Sequence, residues 1–134
     1  MTSLLKPDVA ALVLRLSLGS VLLAHSVYLK LMVFTLAGTA GYFESIGLPG
    51  GLAYFVFLAE AIGGIAIILG VKTRLFAALV IPVLIGATWA HSANGWVFSS
   101  AGGGWEFPLF LVAIAVVQVT IGSGKFALAA DARS

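Results

Sequence analysis

Residues 52–70 read LAYFVFLAEAIGGIAIILG, a stretch with a single charge, Glu60. A helix needs about 20 mainly apolar residues, at about 1.5 Å of rise each, to cross the hydrocarbon core of a bilayer. This stretch has that length and no polar face. It reads as a transmembrane helix with a carboxylate inside it. Outward from it, residues 9–32, 75–95 and 105–122 read the same way. The segment from Thr35 to Gly47 contains Gly38, Gly41, Tyr42 and Glu44, and is too short and polar to span. It is expected to be an interfacial helix or ordered loop, closed by the turn Gly47-Leu48-Pro49-Gly50-Gly51. Residues 96–104 form a glycine- and serine-rich loop, and the polar tail from Ser123 is expected to fray. The fold class that follows is an all-α membrane protein. It is a four-transmembrane-helix bundle with an interfacial helix or ordered loop between helices 1 and 2, as one domain over 1–134.

Composition supports this placement. Hydrophobic residues make up 61% of the chain and charged residues 9%. Soluble domains carry about 25% charged residues, so the apolar excess must face lipid. The first apolar run is longer than a signal-peptide core, carries Arg15 inside it and lacks a clear cleavage site, so it reads as a retained helix. There is no cysteine, which excludes disulfides and thiolate metal sites. Lys72 and Arg74 are the closest approach to a basic cluster, so a nucleic-acid partner is excluded.

The cations set an orientation, because short cytoplasmic loops are enriched in Lys and Arg. With the N-terminus inside, Lys6, Arg15, Lys72, Arg74, Lys125 and Arg133 fall on the inner side, and Lys30 alone on the outer. Both termini are then cytoplasmic. Phe34, Tyr42, Phe43, Trp96 and Phe98 fall at the outer interface, where aromatic rings are favoured.

Ionisable groups inside a bilayer are costly and are candidate site residues. Here they are Arg15, His25, Glu60, His91 and Glu106. Their depths put His25, His91 and Glu106 near the outer ends of three helices and Glu60 in the outer half of a fourth. These four form one polar layer. Arg15 lies deeper, with a side chain long enough to reach toward Glu60. Arg15, Gly19, Leu22 and Ser26 share one stripe of the first helix, with His25 and Lys30 on its flanks. Glu60, Gly63, Gly64 and Ile67 share a stripe of the second. Glycines there let a neighbouring helix approach. Pro82 is expected to kink the third helix.

Each residue also has a structural reading. Arg15 can snorkel to the inner surface, the histidines can pack at the interface, and Glu106 can serve the helix dipole. Glu60 can bridge to Arg15 or a histidine. Chemically, Glu-x-x-His pairs of bundle di-metal sites are absent, so no metal is assigned. Haem ligation by His25 and His91 is an unspecific alternative. A quinone is the candidate cofactor: its carbonyl oxygens want donors such as His, and a nearby carboxylate can take its proton. No nucleophile–base pair for hydrolysis is present.

The chain resembles the DoxX family of small bacterial membrane proteins over nearly its whole length. The resemblance is carried by Arg15-Leu16 with Ala24-His25, Gly38-Thr39-Ala40, and Phe43-Glu44-Ser45-Ile46-Gly47-Leu48-Pro49. It continues through Ala59-Glu60-Ala61-Ile62-Gly63-Gly64 and Leu69-Gly70-Val71-Lys72-Thr73-Arg74-Leu75. His91-Ser92-Ala93-Asn94-Gly95 and Gly102-Gly103-Gly104-Trp105-Glu106 complete it. Order and spacing are specific where single motifs are not. The family pattern at His25 is commonly His-Gly with a Lys one turn later; here Ser26 follows His25 and Lys30 comes five residues on. The resemblance implies a four-helix inner-membrane protein linked to quinone oxidoreduction. The first expectation is therefore a membrane subunit of a quinone-linked oxidoreductase system, with redox protein partners or a homo-oligomer. The alternative is a non-enzymatic scaffold or partner-binding protein. A transporter is the weakest reading, because four helices without an internal repeat leave little room for alternating access.

This topology predicts that single cysteines at 71–74 label from the cytoplasmic side and those at 96–104 from the outside. Labelling at position 99 only after the inner face is exposed would reverse the orientation.

Overall fold

The computed structural model describes residues 6–132, and they are helical apart from loops and one isolated bridge between Val71 and Ala129. Helix α1 (Pro7–Leu23) starts on Pro7, where a missing N–H costs nothing. It runs without a break into a π-helical stretch, Ala24–Val33. Thr35 then turns the chain and caps α2 (Leu36–Ser45), its Oγ1 accepting the Gly38 N–H at 3.0 Å. Next come α3 (Gly51–Leu69), α4 (Thr73–Ala90), a 3₁₀ turn at Ser92–Asn94, and α5 (Glu106–Ile121). The expected segment 75–95 thus starts earlier and leaves α-helical geometry at His91, whose φ is −95° and ψ 0°. The weak segment between the first two long helices is a helix.

Three apolar helical stretches are long enough to cross a bilayer: Pro7–Val33, Gly51–Leu69 and Thr73–Asn94. Helix α5 is apolar but has 16 residues. Only 17% of the most apolar window of the third stretch is buried within the protein, so Leu79, Ile85 and Trp89 need a nonpolar solvent. What is buried is a central cluster of Leu18, Leu22, Ile67, Ala77, Val80, Leu84, Leu111 and Ala115.

Helix α1 packs on α3 and α5, and α4 packs on the same two. Lipid is as apolar as leucine, so close van der Waals contact rather than water exclusion drives this packing. Two glycines make it possible. A Cβ on Gly19 would collide with the Ile68 side chain and come within 2.8 Å of the Gly64 carbonyl oxygen; one on Gly64 would lie 3.1 Å from the Gly19 oxygen. Gly63 faces the other way, with Val80 of α4 at 3.0 Å from its would-be Cβ. The stripe beside Glu60 therefore admits one helix on each flank.

Arg15 is 2% exposed, yet it does not reach Glu60. Its Nε donates to the Ile67 carbonyl at 3.0 Å and Nη2 to Ile68 at 2.9 Å; Nη1 donates to Ser123 at 3.1 Å and Phe126 at 2.6 Å. A helix C-terminus leaves its last carbonyls without intrahelical donors. At the end of α3, Val71 and Gly70 N–H groups close back on Ala66 and Ile67, with Gly70 at φ +76°. Arg15 covers Ile67 and Ile68, and the Leu128 N–H covers Leu69 at 2.9 Å.

The expectation of a frayed tail is corrected here. The described tail folds back along the α3–α4 turn: Ala129 N–H donates to Gly70, Asp131 accepts the Arg74 N–H, and Lys125 N–H donates to Asp8. The polar residues that suggested fraying are the donors and acceptors that hold it. Arg133 lies outside the described residues. Gln118 makes an interhelical bond, Nε2 donating to the Ala11 carbonyl at 3.4 Å.

Replacing Arg15 by Ala strips donors from buried carbonyls and should cost at least about 3 kcal/mol, since hydrogen bonds to charged groups contribute about 1.5–3 kcal/mol each. Lys cannot reproduce the planar fork, so Arg15→Lys should be damaged as well. Limited proteolysis of both variants should cut the tail, and a tail as resistant as in the parent would overturn this account. Gly64→Leu should separate α1 from α3 and lower the thermal midpoint more than Gly41→Leu, whose would-be Cβ meets nothing within 4 Å.

Candidate functional site

Opposite the basic end built around Arg15 lies an aromatic end. There the π-helical stretch, α2, the close of α4 and the start of α5 carry the remaining site residues. In a π-helix the bonds run from residue i to i+5, as in the Phe34 N–H to Leu29 carbonyl bond at 2.8 Å. The changeover from α to π geometry leaves acceptors to be satisfied below it. Ser26 Oγ, fully buried, donates to the Leu22 carbonyl at 2.8 Å, and His25 Nδ1 bonds the Val21 carbonyl at 2.9 Å. A carbonyl can only accept, so Nδ1 carries the hydrogen and Nε2 is left for other chemistry.

The π-turn also decides the fate of Lys30. On an α-helix a five-residue step turns the side chain about 140° away, at about 100° per residue. The wider π-turn brings Lys30 back over His25, with Nζ 3.4 Å from the His25 carbonyl oxygen. From there Nζ lies 2.7 Å from Glu60 Oε1, with side-chain exposures of 18% and 7%. The contact is an ion pair by distance, but its angle lies outside hydrogen-bonding geometry, so Oε1 has no aligned donor. Distance governs the Coulomb attraction, so the pairing stands. Glu60 was expected to bridge to Arg15 or a histidine; its partner is Lys30. In sequence Lys30 reads as the cation at the outer end of the first helix and not as a group inside the bilayer, which is why sequence reasoning missed it.

His91 and Asn94 meet elsewhere. His91 Nδ1 lies 3.2 Å from the Gly103 carbonyl oxygen, and Asn94 Nδ2 donates to the same oxygen at 2.9 Å. The loop between them closes on itself, Trp105 N–H to Gly95 at 3.1 Å and Glu106 N–H to Trp96 at 3.0 Å. Gly95, Gly102 and Gly103 have φ of +92°, +80° and +86°, conformations that other residues rarely adopt. Glu106 opens α5, where the helix dipole favours an anion. Its Oε1 accepts the Phe98 N–H at 3.2 Å.

Phe98, Glu106, Phe107 and Phe110 line a cavity of about 670 Å³ open to the surroundings. The His25 ring lies 6.1 Å from that of Phe107, tilted by 31°. A smaller groove of about 340 Å³ between α4 and α5 is lined by Ile85, Thr88, Trp89, Ser92, Trp105 and Leu109. The polar layer is thus divided. His25 is brought beside the Glu106 cavity, Glu60 is tied to Lys30, His91 is tied to the glycine loop, and Arg15 serves the opposite end. No hydrogen bond or ion pair joins His25, Glu60, His91 and Glu106 to one another among the described residues. Among those residues no three His, Asp or Glu side chains gather as a metal site. Phe98, Phe107 and Asn94 join the site without a sequence signal beyond their aromatic or polar character.

Comparison with known proteins adds to this geometry. The chain is 36% identical over 81 residues to a protein of Bacillus subtilis (strain 168) named "Putative oxidoreductase CatD". The alignment covers 60% of this chain and 58% of that protein, so more than a third of the relative has no counterpart in the match. No solved structure gives a significant match. The DoxX family profile matches residues 10–93, a span that holds Arg15, His25, Lys30, Glu60 and His91 and ends before the glycine loop. The chain belongs to the DoxX family.

Proposed function

We propose that the chain is the membrane subunit of a quinone-linked oxidoreductase system, and that the quinone head binds at the aromatic end between His25 and the start of α5. The observation that carries this reading is the cavity of about 670 Å³ lined by three phenylalanines and one carboxylate, with an imidazole beside it. Small-molecule sites are typically apolar cavities of about 300–1,000 Å³ with a few placed polar groups. Flat phenyl faces suit a planar ring. Bound there, a quinone would supply two-electron carrier chemistry. The chain's own residues do the rest. The phenylalanines offer faces on which the ring can stack. His25 offers Nε2 because Nδ1 is committed to Val21. Glu106 keeps Oε1 on the Phe98 N–H, and Oε2 is the oxygen that can hold a proton. Electrons would come from a redox protein partner, and the printed name of the relative, a putative oxidoreductase, supports the redox class alone.

The same reading takes α5 as a fourth span. At about 1.5 Å per residue its 16 residues cover about 24 Å, which a locally thinned bilayer accommodates. The basic end would face the cytoplasm of a bacterial inner membrane, and α2 would lie at the outer interface. Lys6, Arg15, Lys72, Arg74 and Lys125 at one end support that orientation.

A second reading, a scaffold without chemistry, is favoured by the Lys30–Glu60 pair, which gives the buried carboxylate a purely structural partner. Quinone titration of the protein in nanodiscs, read by tryptophan fluorescence, separates the two. His25→Ala and Glu106→Gln should each weaken binding about tenfold, equivalent to about 1.4 kcal/mol. Glu60→Gln should leave binding intact but destabilise the fold, by up to about 3–5 kcal/mol, because it leaves the largely covered Lys30 ammonium without its counter-charge. If the unaltered protein shows no saturable quinone binding, the scaffold reading replaces the first.

A further inference from the structure

The geometry points to His91 and Asn94 as positioning residues that clamp the glycine loop and so set the wall and the carboxylate of the cavity. This rests on the quinone-site reading above and extends it to residues that do not line the cavity.

The loop from Gly95 to Trp105 has to connect α4 to α5, and three of its glycines take left-handed φ values. Such a chain has many alternative conformations, and ordering it costs entropy. Backbone bonds close the two ends of the loop, Trp105 N–H to Gly95 and Glu106 N–H to Trp96, and the side-chain donors converge on one further acceptor, the Gly103 carbonyl oxygen. It has two lone pairs and faces two donors, Asn94 Nδ2 at 2.9 Å and His91 Nδ1 at 3.2 Å. Asn94 Nδ2 also lies 3.4 Å from His91 Nδ1, but both nitrogens donate to the carbonyl, so that contact is a consequence of convergence. Gly102 carries the side of the clamp, with Asn94 Nδ2 3.1 Å from its would-be Cβ. Fixing Gly103 fixes the chain three residues before the start of α5. It also fixes the strand of loop whose Phe98 N–H meets Glu106 Oε1 at 3.2 Å. Phe98 and Glu106 both line the cavity. The clamp therefore acts on ligand binding through two residues it does not touch.

The test uses the full chain in nanodiscs with Ser99→Cys as a reporter, since the native sequence has no cysteine. Three quantities are measured in the parent, Asn94→Ala and His91→Ala: the thiol labelling rate at 99, the affinity for a soluble quinone analogue, and the thermal midpoint. A clamp predicts labelling about tenfold faster and quinone binding about fivefold to tenfold weaker, in line with one lost hydrogen bond, with the midpoint nearly unchanged. His91→Gln, which restores an N–H donor, should recover part of both. Faster labelling with unchanged affinity would overturn the proposal, because the loop would then move without moving the site. Unchanged labelling in Asn94→Ala would overturn it directly. Failure of the unaltered protein to bind quinone would instead overturn the function proposed above, while the labelling arm still decides whether the clamp holds the loop.

Discussion

A guanidinium without a counter-charge organises the basic end. Arg15 enters the protein about two turns along α1 and meets the carbonyl end of α3 instead of an acid. In a bilayer every backbone polar group must be satisfied by the protein itself. The close of α3 is buried against α1, away from water, so its last carbonyls need donors from another part of the chain. Arg15 supplies some and the tail supplies the others. The order of the tail follows from this, as does the depth at which α3 ends relative to α1. That register puts Gly19 against Gly64 and, toward the far end, Lys30 against Glu60.

At the aromatic end the polar side chains are distributed by the same demand. Each is held by the nearest group able to complete it: Ser26 and His25 by carbonyls one turn below, Glu60 by Lys30, His91 and Asn94 by the Gly103 oxygen. His25 and Glu106 end beside the cavity lined by Phe98, Phe107 and Phe110 with hydrogen-bonding capacity left over. Charge in hydrocarbon therefore marks two kinds of residue here. Glu60 is costly and locked, whereas Glu106 sits at a helix start where the dipole and one N–H hold it without using both oxygens.

Membership of the DoxX family and the oxidoreductase name of a relative agree with a redox setting. The family match covers the pair formed by Lys30 and Glu60 and stops short of the glycine loop and Glu106.

The sequence by itself determined the helices and their lipid environment, because length and apolarity are properties of each segment alone. Residues 52–70 could be read with no knowledge of their neighbours. The two glycines beside Glu60 were legible for the same reason: a stripe on one helix is local. What only the tertiary structure decided was pairing. Arg15 and Glu60 looked like partners from their charges, but α3 presents carbonyls at the level of Arg15 and its carboxylate farther up. Lys30 looked misplaced until a π-turn added a residue to its step. The tail looked loose because its polar atoms had no visible partners in sequence, and those partners are 50 to 120 residues away. Hydrogen bonds and ion pairs depend on ångström distances between elements far apart in the chain, and hydrophobic periodicity carries no information about those.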